Sequence, residues 1–142
     1  MMALRLVTAA TEDGEPVSLQ EAKRHMVVLH DADDLLIRGY LTAAREVVEQ
    51  QTGYALAMAT YDWTPVGTDR TELPIEPAEV VSGPDDYPIR ITTKPGPAPA
   101  ALKAAVLLLA ADLYANREAA TEGLSENPAV DRLTFPYRRF RP

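Results

Sequence analysis

His30, Asp31, Asp33 and Asp34 stand within five positions of one another in LHDADDLLIRGYL, residues 29–41. Imidazole and carboxylate groups at such density are the raw material of a divalent-metal site or a metal-dependent hydrolase. A metal site also needs ligands that converge. The aspartates lack the calcium-loop pattern, which requires Gly at the sixth position and Glu at the twelfth. The other histidine, His25, lies five residues away, the wrong spacing for one helical face, and no HExxH is present. The same acids suit the start of a helix. Asp31 as N-cap accepts from backbone N–H groups, and Asp33 and Asp34 in the first turn meet the positive end of the helix dipole. Each contributes from a few tenths to about 1 kcal/mol. The expectation is a helix start, with no metal and no cofactor.

Other chemistries have less to work with. The chain has no cysteine, which removes disulfides, thiolate metal sites and cysteine nucleophiles. Its glycines are scattered singly, so there is no phosphate-binding loop, and no GxSxG elbow occurs. The paired carboxylates Asp33/Asp34 and Asp85/Asp86 fall in a helix start and a turn, where acids are usually solvated. No enzyme is expected.

The 142 residues suit one domain. The opening MMALRLVTAATEDGEP lacks the apolar run of a secretory signal, and Asp112 breaks the longest apolar run, AAVLLLAADLYA. A soluble intracellular protein is expected. The net charge is −7, but the last eleven residues, RLTFPYRRFRP, hold four arginines and no acid; taking that +4 away leaves −11 on the rest. An acidic body is a poor general binder of nucleic acid. A basic tail on it is either a docking peptide for an acidic partner or a solvated terminus.

The elements that carry these residues follow from periodicity. PVSLQEAKRHM predicts a short helix with Ser18 as N-cap, Glu21 completing a capping box, an apolar stripe of Leu19, Ala22 and Met26, and an end near Val27. Leu35, Leu36, Tyr40, Leu41, Ala44, Val47 and Val48 recur at spacings of three and four and predict a long helix after Asp31. Glu46, Glu49, Gln50 and Gln51 take its outer side, and Gly53 ends it. ATYDWTPV and YPIRITT read as strands. Between them lie turns, with a short strand at ELPIE. Trp63 is a core or interface anchor. KPGPAPAAL is a stiff linker into a second long helix, about Pro99 to Glu118, with Leu102, Ala105, Val106, Leu109, Leu113 and Asn116 as its main stripe. Leu107 and Leu108 widen that stripe and suggest burial on more than one side, in the fold or in an oligomer. NPAVDRL starts a last short helix, with Asn127 as N-cap and Pro128 at its first position; Pro136 stops it. The expected fold is mainly α: a helical bundle of two long and two short helices with a small antiparallel sheet or hairpin. One domain spans 1–136, with a β and loop insertion at about 54–97, and a basic tail covers 137–142.

Three segments together resemble the head–tail connector (adaptor) proteins of long-tailed bacteriophages and gene transfer agents. They are PVSLQEAKRHMVVLHDADDLLIRGYLTAAREVVEQQTGYAL, APAALKAAVLLLAADLYANREA and NPAVDRLTFPYR, in the family's order and over about half the chain. The stretch from Thr64 to Pro88 is shorter than the family's β region often is. The resemblance implies a non-enzymatic structural protein of the virion, made in the host bacterial cytoplasm and placed at the head–tail junction. It implies a ring of about twelve subunits beneath the portal protein, a channel through which DNA passes without specific binding, and a tail-side stopper or connector below. Neither nucleic-acid specificity nor a membrane enters that picture. An acidic channel would keep DNA mobile. The tail becomes a portal-docking peptide, with Tyr137 and Phe140 as anchors and Arg138, Arg139 and Arg141 pairing with acids. Leu107, Leu108 and Trp63 are candidates for the ring interface, while Ser18, Glu21, Asp31, Asp34 and Asn127 serve the helix starts. Arg117 suits the negative end of its helix. Two alternatives stand beside this one: a stopper or tail-completion protein, and a helical interaction or regulatory domain with no virion role.

Overall fold

A computed structural model describes residues 3–64, 73–81, 89–116 and 127–138. Within them the chain forms β1 (Ala3–Thr8), α1 (Leu19–Met26), α2 (Asp34–Thr52), β2 (Thr60–Thr64), β3 (Ala78–Val80), β4 (Ile89–Thr93), α3 (Ala100–Ala115) and α4 (Pro128–Thr134). The architecture is mainly α, two long and two short helices with one small antiparallel sheet, as the periodicities predict.

The capping box of α1 forms as expected: Glu21 N–H donates to Ser18 Oγ at 3.1 Å, and Ser18 N–H reaches Glu21 Oε1 at 3.4 Å. α1 ends at Val27, whose φ of 58° is left-handed. Glycine usually fills such a position. A residue with a Cβ costs about 1–2 kcal/mol there, and Val27 is 77 % exposed, so packing recovers little of it. At the far end of α2, Gly53 takes the left-handed position with φ 69° and donates to Glu49 O at 2.7 Å.

α2 corrects two expectations. Its N-cap is Asp33, whose side chain makes no capping hydrogen bond, so Asp31 does not cap it; Asp34 does lie in the first turn. The buried stripe is Ile37, Leu41, Ala44 and Val48, a clean i, i+4, i+7, i+11 series facing α3, while Leu35 is 80 % exposed and Leu36 and Val47 are also exposed. Counting Leu35 and Leu36 as core rotates the expected face and hides Ile37. Glu49, expected outside, is buried.

α3 starts after Pro99 and buries Leu102, Ala105, Val106 and Ala110. Leu107, Leu108 and Leu109 are half-buried against the same core, so apolar surface does run around much of the helix. Arg117 and Glu118 lie outside the described residues. Asn127 Oδ1 accepts from Ala129 N–H at 3.0 Å and caps α4, with Pro128 first in the helix. Pro136 does not itself stop α4: the helix ends at Thr134, and Pro136 sits inside a following 3-10 turn, Phe135–Tyr137, whose early positions tolerate proline's fixed φ. One core gathers Val17, the α2 stripe, Leu56, the α3 residues and Val130. Each large side chain fully buried there contributes about 1.5–3 kcal/mol.

The sheet has the order β1-β2-β4-β3, antiparallel throughout. β1 was not expected; ALRLVT pairs with β2 more than fifty residues on, as Leu4 with Trp63 and Leu6 with Tyr61. The strand expected at ELPIE forms just downstream, at Ala78–Val80; within ELPIE, Ile75 is buried and Glu76 makes a single bridge to Tyr54. One face of the sheet covers a second core of Ala55, Trp63, Ile75, Ile89 and Ile91.

Candidate interaction surfaces

The histidine–aspartate cluster is organised by an ammonium. Lys23, on α1, is buried along its stem and brings Nζ to 2.7 Å from Asp31 Oδ1 and 2.9 Å from Asp34 Oδ1. Hydrogen bonds to those carboxylates, Asp31 first, hold Lys23 above its usual pKa, and Lys23 holds Asp31 below the usual carboxylate range. Asp33 points elsewhere: its Oδ2 accepts from Tyr114 Oη at 2.6 Å, which ties the start of α2 to the end of α3. His30 Nε2 is 4.0 Å from Asp33, and His30 Nδ1 accepts from Ala32 N–H at 3.3 Å. Asp31, Asp33 and Asp34 are engaged in joining α1, α2 and α3, while the His30 contacts are local.

A second charged cluster escaped the periodicity. Arg45, with a side chain 3 % exposed, donates through Nε to Glu15 Oε2 at 2.8 Å and through Nη1 to Glu49 Oε1 at 2.6 Å. Thr42 Oγ1 donates to Glu15 Oε1 at 3.2 Å, and Glu49 Oε2 accepts from Leu56 N–H at 2.9 Å. Burial opposes the Arg45 charge, but Glu15 and Glu49 outweigh it and raise the guanidinium above its ordinary value. Burial pushes Glu49 above the carboxylate range, although the Leu56 N–H and Arg45 pull the other way. Arg45 and Glu49 stand at i, i+4, and that spacing was the available signal; charged pairs so spaced lie mostly on solvated faces.

The sheet presents a polar face. Asp62 is nearly buried between Arg90 Nε at 2.9 Å and Arg5 Nη2 at 3.0 Å, and the Arg90 bond leads in lowering its pKa. On the apolar side, a groove of about 510 Å³ runs between β1 and the second half of α2, walled by Leu4, Leu6, Glu46, Glu49, Gln50, Tyr61, Pro74 and Ile75.

The remaining candidates are scattered. Trp63 is 1 % exposed inside the second core, which leaves no indole surface for a neighbouring chain. Leu107 and Leu108 each keep part of their surface on α3. Tyr137 packs edge-on against Tyr54, ring centres 5.8 Å apart, and Arg138 donates to Asp131 Oδ1 at 3.0 Å. The base of the tail is thus fastened to the body. Arg139, Phe140 and Arg141 lie outside the described residues. Among the described residues no helix is long and apolar enough to cross a membrane.

A family model described as phage gp6-like head–tail connector protein matches residues 16–134. Three solved structures share the fold. A chain in a structure of the neck of an empty gene transfer agent particle aligns with TM-score 0.72 and 21 % identity, over 99 % of this chain and 97 % of that one. A chain from the virion of a native gene transfer agent particle gives 0.60 and 22 %, over 98 % and 96 %. Gp6 of bacteriophage HK97 gives 0.52 and 24 %, over 87 % and 93 %. Among curated proteins none matches.

Proposed function

The chain belongs to the phage gp6-like head–tail connector family, and on that footing we propose that it is the adaptor of a virion neck: a ring under the portal that extends the DNA channel and joins head to tail. The observation that carries this is the family match, which runs from before the α1 cap to the end of α4 and so takes in every helix of the body. Its place is the head–tail junction of a phage or gene transfer agent particle, and its role is structural rather than catalytic. The charge distribution supports the reading. A body at −11 repels DNA phosphate and leaves a passing duplex free to slide.

The tail divides into a base and a reach. Tyr137 and Arg138 hold the base on Tyr54 and Asp131, while Arg139, Phe140 and Arg141 supply the charge and the aromatic anchor for an acidic cleft on the portal. Leu107 and Leu108 remain candidates for contact with a neighbouring copy.

Co-sedimentation with a portal protein from the same genome tests the reading, using the full chain, a chain ending at Arg138 and a chain ending at Pro136. Binding by the full chain alone is expected. Binding by the chain ending at Pro136 as well would move the docking surface into the helices, and binding by the chain ending at Arg138 but not by that one would place it at the base of the tail. If even the full chain ignores the portal but binds the tail-side protein, the protein is a stopper.

A further inference from the structure

Among the described residues the sheet ends in two different edge strands. β1 and β3 are its outermost strands, and neither has a further partner strand among the described residues. Such edges pair with other chains unless proline, lysine, a bulge or a cover blocks them. β1 reads ALRLVT, with one irregularity near its end between Leu6 and Thr8, and β3 reads AEV.

The register sorts the side chains at these edges by face. Leu6, Tyr61, Ile91 and Val80 form one apolar row from edge to edge, and the two end members are the exposed ones, Leu6 at 46 % and Val80 at 44 %. On the other face Arg5, Asp62 and Arg90 form a polar row, and Glu79, opposite Thr92, shares that face. Arg5 and Glu79 are well exposed and opposite in charge; within the chain Arg5 lies 3.0 Å from Asp62 and Glu79 lies 3.8 Å from Lys94 Nζ, so a contact between copies would extend these two pairs into one network.

Four strands alternating in direction have a geometric consequence. A second copy set beside the first in the same orientation brings its β1 antiparallel to the first copy's β3. The register that sets Arg5 against Glu79 also sets Leu4 against Val80 and Leu6 against Ala78. Every pair then matches in face, and a slip of one residue would put apolar side chains on the polar side. Pairing β1 with β1 about a two-fold, with Leu4 against Leu6, would set Arg5 directly against Arg5, which like-charge repulsion disfavours.

We propose that copies of this chain join edge to edge, β1 of one against β3 of the next, with Arg5 and Glu79 as the charged pair that fixes the register. This rests on the ring reading above. A contact between two different edges is heterologous, so it propagates head to tail and closes into a ring when the rotation per step permits.

The absence of native cysteine gives a clean test. Residues directly opposite in an antiparallel pair have Cα atoms about 4.5–5.5 Å apart, inside the span of a disulfide. The full chain carrying Arg5→Cys and Glu79→Cys is mixed with the portal, oxidised and run without reductant. A ladder extending beyond the dimer, absent from either single variant, is the expected result. Dimers from Arg5→Cys alone would establish the two-fold pairing and overturn the proposal. Rings that sediment with the portal as the unaltered chain does, yet fail to cross-link, would overturn edge pairing and leave the ring standing. An unaltered chain that forms no ring would remove both. Should the cysteine variant not assemble, Glu79→Arg decides, since it sets like charges across the proposed contact and leaves the Arg5–Asp62 bond in place. Weakened assembly supports the pair, and assembly indifferent to the change refutes it.

Discussion

α2 carries a charged cluster at each end, and the two differ in what they do. At its start, Asp31 and Asp34 are crowded in sequence beside a histidine, and the buried Lys23 meets them from the rim: the Asp31 side chain is 90 % exposed and that of Asp34 29 %. At its end, Arg45 and Glu49 are an unremarked pair one turn apart, yet both are buried and they reach Glu15 before α1 and Leu56 after α2. Exposed ion pairs are screened and contribute little. Buried ones become indispensable once made, because removing one partner strands the other in a medium that cannot solvate it. Density of charge in a sequence is a poor guide to which cluster matters; enclosure decides.

The sharpest way to break this contrast is Arg45→Ala, which leaves Glu15 and Glu49 facing each other without a cation. We expect a loss of about 3–5 kcal/mol, read from urea midpoints. Protonation sharpens it next. The Glu49 carboxyl titrates above its unfolded value of 4.5 in the fold, so the stability it contributes is fully present below that pH and is lost as pH rises through its folded pKa. Asp31 is held below its unfolded value of 3.8. Its contribution is present above that value and is lost as pH falls through the lowered one. Glu49→Gln should therefore flatten the stability profile on the alkaline side of 4.5, and Asp31→Asn on the acid side of 3.8. Val27→Gly, beside the exposed cluster, should raise stability by about 0.5–1 kcal/mol, since it relieves a left-handed valine and gives back part of the gain as unfolded-chain entropy. Asp31→Asn at neutral pH should show the smallest effect and lose it in high salt; a large, salt-resistant loss would reverse the ranking of the two ends.

The helix starts were legible because their signals are local. Ser18 and Glu21, and Asn127 and Pro128, lie within three residues of the backbone groups they serve. Asp31 misled because Asp, Ala, Asp and Asp offer several equivalent caps, and the choice fell to Lys23 on another helix and to Tyr114 on a third. β1 was illegible for a different reason. Its apolar alternation is short, and its meaning depends on β2, far along the chain. Glu49 was misplaced because burial of a carboxylate needs a cation and backbone donors, and Glu49 finds the latter only where the chain turns back at Leu56 and Ala57. For the candidate surfaces, the sequence offered the tail and the wide face of α3, while the edge strands of the sheet emerged only once the strands were ordered.

Arg45 has a mechanical meaning as well. It grips Glu15, on the segment that leads from β1 to α1, and Glu49, whose other oxygen holds the segment that leads from α2 to β2. The segments on both sides of the first strand pair are therefore pinned at one point. A pull on that pair is delivered to α2 through charge-assisted bonds of 2.8 and 2.6 Å, without first straightening the connecting chain. That clasp couples the two cores at the place where both linkers meet α2.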